Sequence, residues 1–180
     1  MNQSIKAIIV FLVIIWGSYF LSFLFPLQQF GLIPRSISGL PGIVFAPFLH
    51  GSLSHLIGNS ISFTIFALVL TLLEGNKMFS KMVLMLLIGG ALTWLMGRSA
   101  IHIGASGLIF SLFAYLLFAG WFSKKIKYIV VSIGLIFFYS GMIFGVLPST
   151  PGISWEGHLF GFIAGVIVAK IYHKNKVTKK

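Results

Sequence analysis

The hydrophobic positions of this chain run in long unbroken stretches rather than in alternation, and three short polar clusters interrupt them. A continuous apolar run of about 20 residues matches a helix crossing a hydrocarbon core, because a helix satisfies its own backbone where no water can. Six such runs are predicted, at residues 5–25, 52–73, 79–97, 104–122, 127–147 and 155–172, each bounded by charges, Pro or Gly. No repeat relates them, so they read as one domain over residues 1–180, with a short N-terminus at 1–5 and a basic tail at 173–180. The predicted class is all-α, a polytopic membrane protein with a six-helix bundle.

Composition agrees: 58% of residues are hydrophobic, 8% are charged and the mean hydropathy is +1.04. A soluble core of this size could not hide that much apolar surface behind so few charges. Charge then orients the spans. Of the thirteen Lys and Arg residues, eleven fall at or beyond the ends that share one side, leaving only Arg35 and Arg98 on the other. By the positive-inside rule both termini are expected in the cytoplasm, with residues 26–51, 98–103 and 148–154 outside. The net charge of +11 is thereby read as topology and attraction to anionic headgroups of the lipid bilayer, with no nucleic acid as partner. The first span has no convincing small-residue cleavage site after it and is expected to be an uncleaved signal anchor. The absence of cysteine excludes disulfides, thiolate catalysis and Cys-based metal sites.

With the orientation set, the three polar clusters fall at one level. His50-Gly-Ser-Leu-Ser-His55-Leu-Ile-Gly-Asn59, Gly104-Ala105-Ser106-Gly107 and Gly157-His158 open the second, fourth and sixth spans, all running inward from outside. At about 1.5 Å rise per residue, Asn59, Ser106 and His158 stand roughly 18 to 27 Å above the cytoplasmic boundary. Polar groups at that depth are expensive and usually face protein or a wet cavity with a function attached.

The chemistry suggested is nucleophilic. A serine hydroxyl needs a base to take its proton, and His suits that task near neutral pH, so Ser106 and His158 are the candidate nucleophile and general base. Gly157, Gly161 and Gly165 repeat every four residues and form a groove in which the fourth span could pack closely. Gly104 and Gly107 bracket the serine and admit a close approach. His55 and Asn59 are i and i+4 on one helix face, where both can donate to an oxyanion beside the Ser106 N–H. The chain contains no Asp, and its acids are Glu74 and Glu156 alone. A Ser-His-Asp triad is therefore impossible, a His-Glu-x-x-His zinc site is absent, and a Ser-His dyad remains.

At these residues the chain resembles the rhomboid family of intramembrane serine proteases. His55 and Asn59 match the family's His-x-x-x-Asn, Gly104 to Gly107 its Gly-x-Ser-Gly, and Gly157-His158 with Gly161 and Gly165 its His-helix pattern. The resemblance implies cleavage of single-span membrane proteins near the outer membrane face. Ser106 attacks, His158 acts as base and then acid, and His55, Asn59 and the Ser106 backbone form the oxyanion hole. It implies no cofactor, no metal and a multi-pass location in a bacterial cytoplasmic membrane. His50 matches a further family histidine that ties down the first external loop. Phe110 stands where the family often has Tyr, keeping the ring that packs under the histidine, and the Trp-Arg pair common in the first loop is missing.

Other polar residues are expected to be structural: His102 in hydrogen bonding, His173 as a solvated interfacial residue, Glu74 as a cap or loop anchor, and Glu156 as a helix initiator. Two rival functions stay open. One is an inactive rhomboid-like protein that binds membrane clients; the other is a transporter lined by His50, His55, His102 and His158. Water and an unwound substrate must meet below the membrane surface, so cleavage is expected beside small residues in spans carrying Gly or Pro near the outer end.

Overall fold

A computed structural model of the chain describes residues 3–148 and 153–174. The far ends of the predicted N-terminal and basic tail segments, and most of the 148–154 loop, lie outside these residues. Among the described residues the architecture is helical: α1 Gln3–Leu21, the short α2 Gly42–Phe45, α3 Leu53–Glu74, α4 Lys77–Met96, α5 Ser106–Ser123, α6 Ile126–Tyr139 and α7 Trp155–Lys174. The turn after α6 tightens into a 3-10 helix over Ser140–Val146.

Helix boundaries follow local chemistry. Ser52 caps α3 by accepting the His55 N–H at 3.3 Å, and Gly75 ends it with φ +58°. Lys124 closes α5 in the left-handed conformation, next to the α6 start.

Among the described residues five helical stretches are long and apolar enough to cross a membrane: α1, α3, α4, α5, and α6 with its 3-10 extension. The protein is thus an integral membrane protein by length and composition. The sixth predicted span, α7, is a helix at the expected place, but Glu156, His158, Lys170 and His173 keep it outside that set. Its position explains the composition, because α7 packs mainly against α5 and α4, and Glu156, His158 and His173 are buried on that packed side. A helix sheltered this way can carry polar groups turned inward.

The central element is α5, buried continuously from Leu108 to Leu116. Around it Phe11 of α1 stacks on Phe63 of α3 with centroids 4.0 Å apart, and Phe66 packs against Phe113 and Tyr139. By contrast α6 buries only Tyr128 and Leu135. Lipid tails are as apolar as Leu, so close packing and polar contacts must hold such helices together.

One polar hub does so at the end opposite the three clusters. Glu74 pairs with Lys81 at 2.5 Å and accepts from Tyr115 Oη at 2.6 Å and Tyr128 Oη at 2.9 Å. Tyr115 Oη in turn accepts from Lys81 Nζ at 2.6 Å and from His173 Nε2 at 2.8 Å. Five helices, α3 to α7, meet in these five side chains. Two expectations are corrected here: Glu74 is a buried ion-pair partner rather than a cap, and His173 lies on α7, buried, rather than solvated in a tail. Its imidazole replaces water with a phenol and a carboxylate, which is why a nominally polar residue sits inside.

The long segment between α1 and α3 is ordered rather than a bare loop. Arg35 reaches the Gly97 carbonyl at 2.7 Å and Ser99 Oγ at 3.2 Å, and Leu32 exchanges backbone hydrogen bonds with His102 at 2.8 and 3.0 Å. This segment is stitched to the α4–α5 connection, just ahead of Ser106.

Candidate active site

Ser106 is the first residue of α5, and the two helices that flank it decide what it meets. A Cβ at Gly161 would collide with the Gly107 carbonyl, and one at Gly165 with the Ser111 carbonyl. The absence of both lets α7 lie against α5 backbone to backbone. Gly107 completes the contact, its own missing Cβ facing the Gly157 carbonyl at 3.1 Å. Gly157 differs from the expected groove: its open side faces Ser154 Oγ at 2.8 Å.

This approach sets the His158 Nε2 to Ser106 Oγ separation at 2.8 Å. On the other side of the ring, Nδ1 lies 2.8 Å from the Gly145 carbonyl. A carbonyl only accepts, so Nδ1 carries the proton and Nε2 is left as the acceptor for the serine hydroxyl. The chain has no Asp, and the backbone of Gly145 supplies the acceptor that fixes this tautomer. Phe110, one turn beyond Ser106, stacks under the imidazole with centroids 4.2 Å apart and planes 8° from parallel. Its ring edge also fills the space beside Gly145, where a Cβ would come within 2.6 Å of Phe110 Cζ.

Gly104 adopts φ +112°, a conformation that L side chains rarely hold, and a Cβ there would come within 2.6 Å of His55 Cε1. The glycine thus brings the α5 start against α3. His55 is half-buried, while Asn59 is 6% exposed and its Nδ2 donates to His50 Nε2 at 2.9 Å. His50, 1% exposed, also packs edge-on to His55 with centroids 5.2 Å apart. It therefore touches the amide directly, beyond the loop-tethering expected of it. Burial pushes the His50 imidazole down to about 4, with the charge of His55 adding to the fall and the Phe48 carbonyl pulling weakly the other way.

His55, Asn59, Ser106, Phe110 and His158 all line one cavity of about 1020 Å³, closed on one flank by Tyr139 and Met142 of the α6 region. The first N–H groups of α5, at Ser106 and Gly107, have no acceptor within their own helix, and Ser106 itself lines the cavity. The arrangement can deprotonate a hydroxyl, hold it against a carbonyl and receive an oxyanion. Among the described residues no three His, Cys, Asp or Glu side chains are grouped to hold a metal ion.

A family model described as Rhomboid domain matches residues 37–175. The chain belongs to the rhomboid family. Rhomboids are an intramembrane protease family, and the match runs from the segment before α3 to the end of α7. Proteins named only as uncharacterized from Mycobacterium bovis and Mycobacterium tuberculosis are each 37% identical over 148 residues, covering 77% of this chain and 62% of theirs. One from Mycobacterium leprae is 35% identical over 137 residues, covering 71% of this rhomboid and 54% of its own length. This rhomboid thus spans about three fifths of the first two relatives' length.

Three residues near the site are tied into its frame, His102 by the hydrogen bonding expected of it. His102 is held by Leu32 through the backbone and by Ser154 and Arg98 through its ring. Glu156 is buried and ion-paired with Arg98 Nε at 3.5 Å rather than simply starting α7. Ser154 had no assigned role, although a Ser immediately before a helical run is a recognisable cap signal.

Proposed function

We propose that this rhomboid is an intramembrane serine endopeptidase working through a Ser106–His158 dyad. The observation that carries the reading is the 2.8 Å contact between His158 Nε2 and Ser106 Oγ, with the opposite ring nitrogen committed to Gly145. His158 Nε2 takes the hydroxyl proton as Ser106 Oγ bonds to the scissile carbonyl carbon. The carbonyl oxygen becomes an oxyanion facing the Ser106 N–H, His55 and Asn59. Collapse expels the amine, protonated by His158, and leaves an acyl-serine. Water, deprotonated by the same imidazole, then releases the acid and restores the serine. Without a carboxylate, the imidazolium is steadied by the Gly145 carbonyl and the stacked Phe110 ring.

Residues 1–180 form one domain in which α7 is the sixth span, both termini are cytoplasmic, and the site opens toward the outer half of a bacterial cytoplasmic membrane. Substrates are single-span membrane proteins, cut next to small residues where Gly or Pro eases local unwinding. The chain retains both reacting groups in hydrogen-bond contact, which favours an enzyme over an inactive client-binding relative. The test is cleavage of a fluorescent single-span substrate by the detergent-solubilised protein. Wild type cleaves and is labelled by a fluorophosphonate; unchanged cleavage in Ser106→Ala would sink the assignment.

A further inference from the structure

The α4–α5 connection carries more than the nucleophile. His102, four residues before Ser106, is buried and uses both ring nitrogens: Nε2 donates to the Arg98 carbonyl at 3.1 Å and Nδ1 accepts from Ser154 Oγ at 2.5 Å. The carbonyl fixes this direction, since it cannot donate. Ser154 Oγ, its proton spent on His102, turns a lone pair to the Gly157 N–H at 3.3 Å, and the Ser154 carbonyl accepts the His158 N–H at 3.2 Å. Ser154 is therefore the N-cap of α7, and both of its bonds land on the residue bearing the base or the one before it. Arg98 secures the same segment through the Ile153 carbonyl at 2.7 Å and Glu156 at 3.5 Å. On the far side, Leu32 pins the His102 backbone through two hydrogen bonds.

From this geometry we propose that His102 is a positioning residue for the proteolytic reaction. Through Ser154 it holds the first turn of α7, so that His158 meets Ser106 at hydrogen-bond distance. One rigid stretch, residues 98–106, then carries the nucleophile and the clamp on the helix of its base. The inference rests on the serine-protease reading above. His102 touches neither Ser106 nor His158, and acts only through the cap.

Two substitutions separate its two bonds. In His102→Asn the side-chain oxygen can take the place of Nδ1 and keep accepting from Ser154. In His102→Gln the amide reaches the Nε2 position, keeping Arg98 and losing Ser154. With a fluorescent single-span substrate, His102→Gln lowers kcat about tenfold or more while KM stays within about twofold, since misplacing a reacting group by about 1 Å can remove up to about a hundredfold in rate. The rate of fluorophosphonate labelling at Ser106 falls in step, and His102→Asn recovers most of both. Ser154→Ala gives the same kcat loss as His102→Gln, and combining the two adds nothing further. If His102→Gln fails to fold, Ser154→Ala against Ser154→Thr, which keeps the hydroxyl, decides the matter. Wild-type kcat and labelling in folded His102→Gln or Ser154→Ala would overturn the proposal. Wild-type protein with no Ser106-dependent labelling would instead remove the protease reading on which it stands.

Discussion

Adding one methyl group at Gly161 tests whether backbone contact between α5 and α7 sets the reacting distance. In Gly161→Ala the new Cβ would sit 2.9 Å from the Gly107 carbonyl carbon and 3.2 Å from its Cα, and in collision with its oxygen. Backbone atoms cannot rotate away as a flexible side chain could. Restoring ordinary contact requires the helices to part by about 1 Å, an overpacking strain of about 1–3 kcal/mol. Gly107 adjoins Ser106 and Gly161 lies one turn below His158, so most of that parting is passed to the dyad. The 2.8 Å contact would open to about 3.8 Å, beyond a hydrogen bond. A loss of about a hundredfold in kcat is expected. The assay is single-turnover cleavage of a single-span substrate together with the rate of fluorophosphonate labelling and the melting temperature in detergent. Gly17→Ala is the control, because a Cβ there meets nothing within 4 Å. Folded Gly161→Ala with wild-type kcat and labelling would refute the claim that this crossing sets the dyad.

Three further outcomes are expected. Lys81→Met leaves Glu74 buried without its cation, at a cost of about 3–5 kcal/mol; melting in detergent should show it, and Lys81→Met with Glu74→Gln should recover much of the loss. Phe110→Ala removes the ring stacked under His158 and should lower kcat more than it alters KM, measured against Phe110→Leu. The His50 imidazole is depressed from its ordinary 6.5 to about 4, so the unfolded chain takes up the proton first. Stability from neutral His50 is complete above pH about 6.5 and declines as pH falls toward 4; His50→Gln should flatten the melting temperature between pH 7 and 5, and an unchanged slope would contradict this.

Much of the fold was visible as hydrophobic runs, because a helix facing lipid must be apolar for most of its length. The weakest run was α7, and the structure supplies the reason: one face of it packs backbone to backbone on α5, so its sequence is constrained there by glycines for close approach as well as by apolarity. Gly161 and Gly165 were legible for that purpose, whereas Gly157 serves the Ser154 cap instead. The hub of Glu74, Lys81, Tyr115, Tyr128 and His173 was not legible. Its members lie up to about a hundred residues apart; Glu74, Lys81, Tyr128 and His173, each taken alone, resemble interfacial residues near helix ends, and Tyr115 resembles one more aromatic of an apolar span. Only their convergence makes burial tolerable. His50 falls between these cases, since its position beside the His55–Asn59 pair was evident and its direct bond to Asn59 was not.

The part of the site hardest to read from sequence is the part that replaces the missing Asp. A side-chain acid leaves a letter in the chain, but the acceptor beneath His158 is the main-chain carbonyl of Gly145. A carbonyl inside a regular α-helix is already committed to the N–H four residues on. The 3-10 turn over Ser140–Val146 would instead commit it to the N–H three residues on, but for Gly145 that residue is Pro148, which has no N–H, so the carbonyl is spared for the imidazole. Phe110 then occupies the space that the absent Gly145 side chain leaves open, so the same glycine offers both the acceptor and room for the stacked ring. The orientation of the base therefore depends on how α6 ends. Although α6 is the least buried of the long helices, its 3-10 extension holds the group that fixes the histidine tautomer.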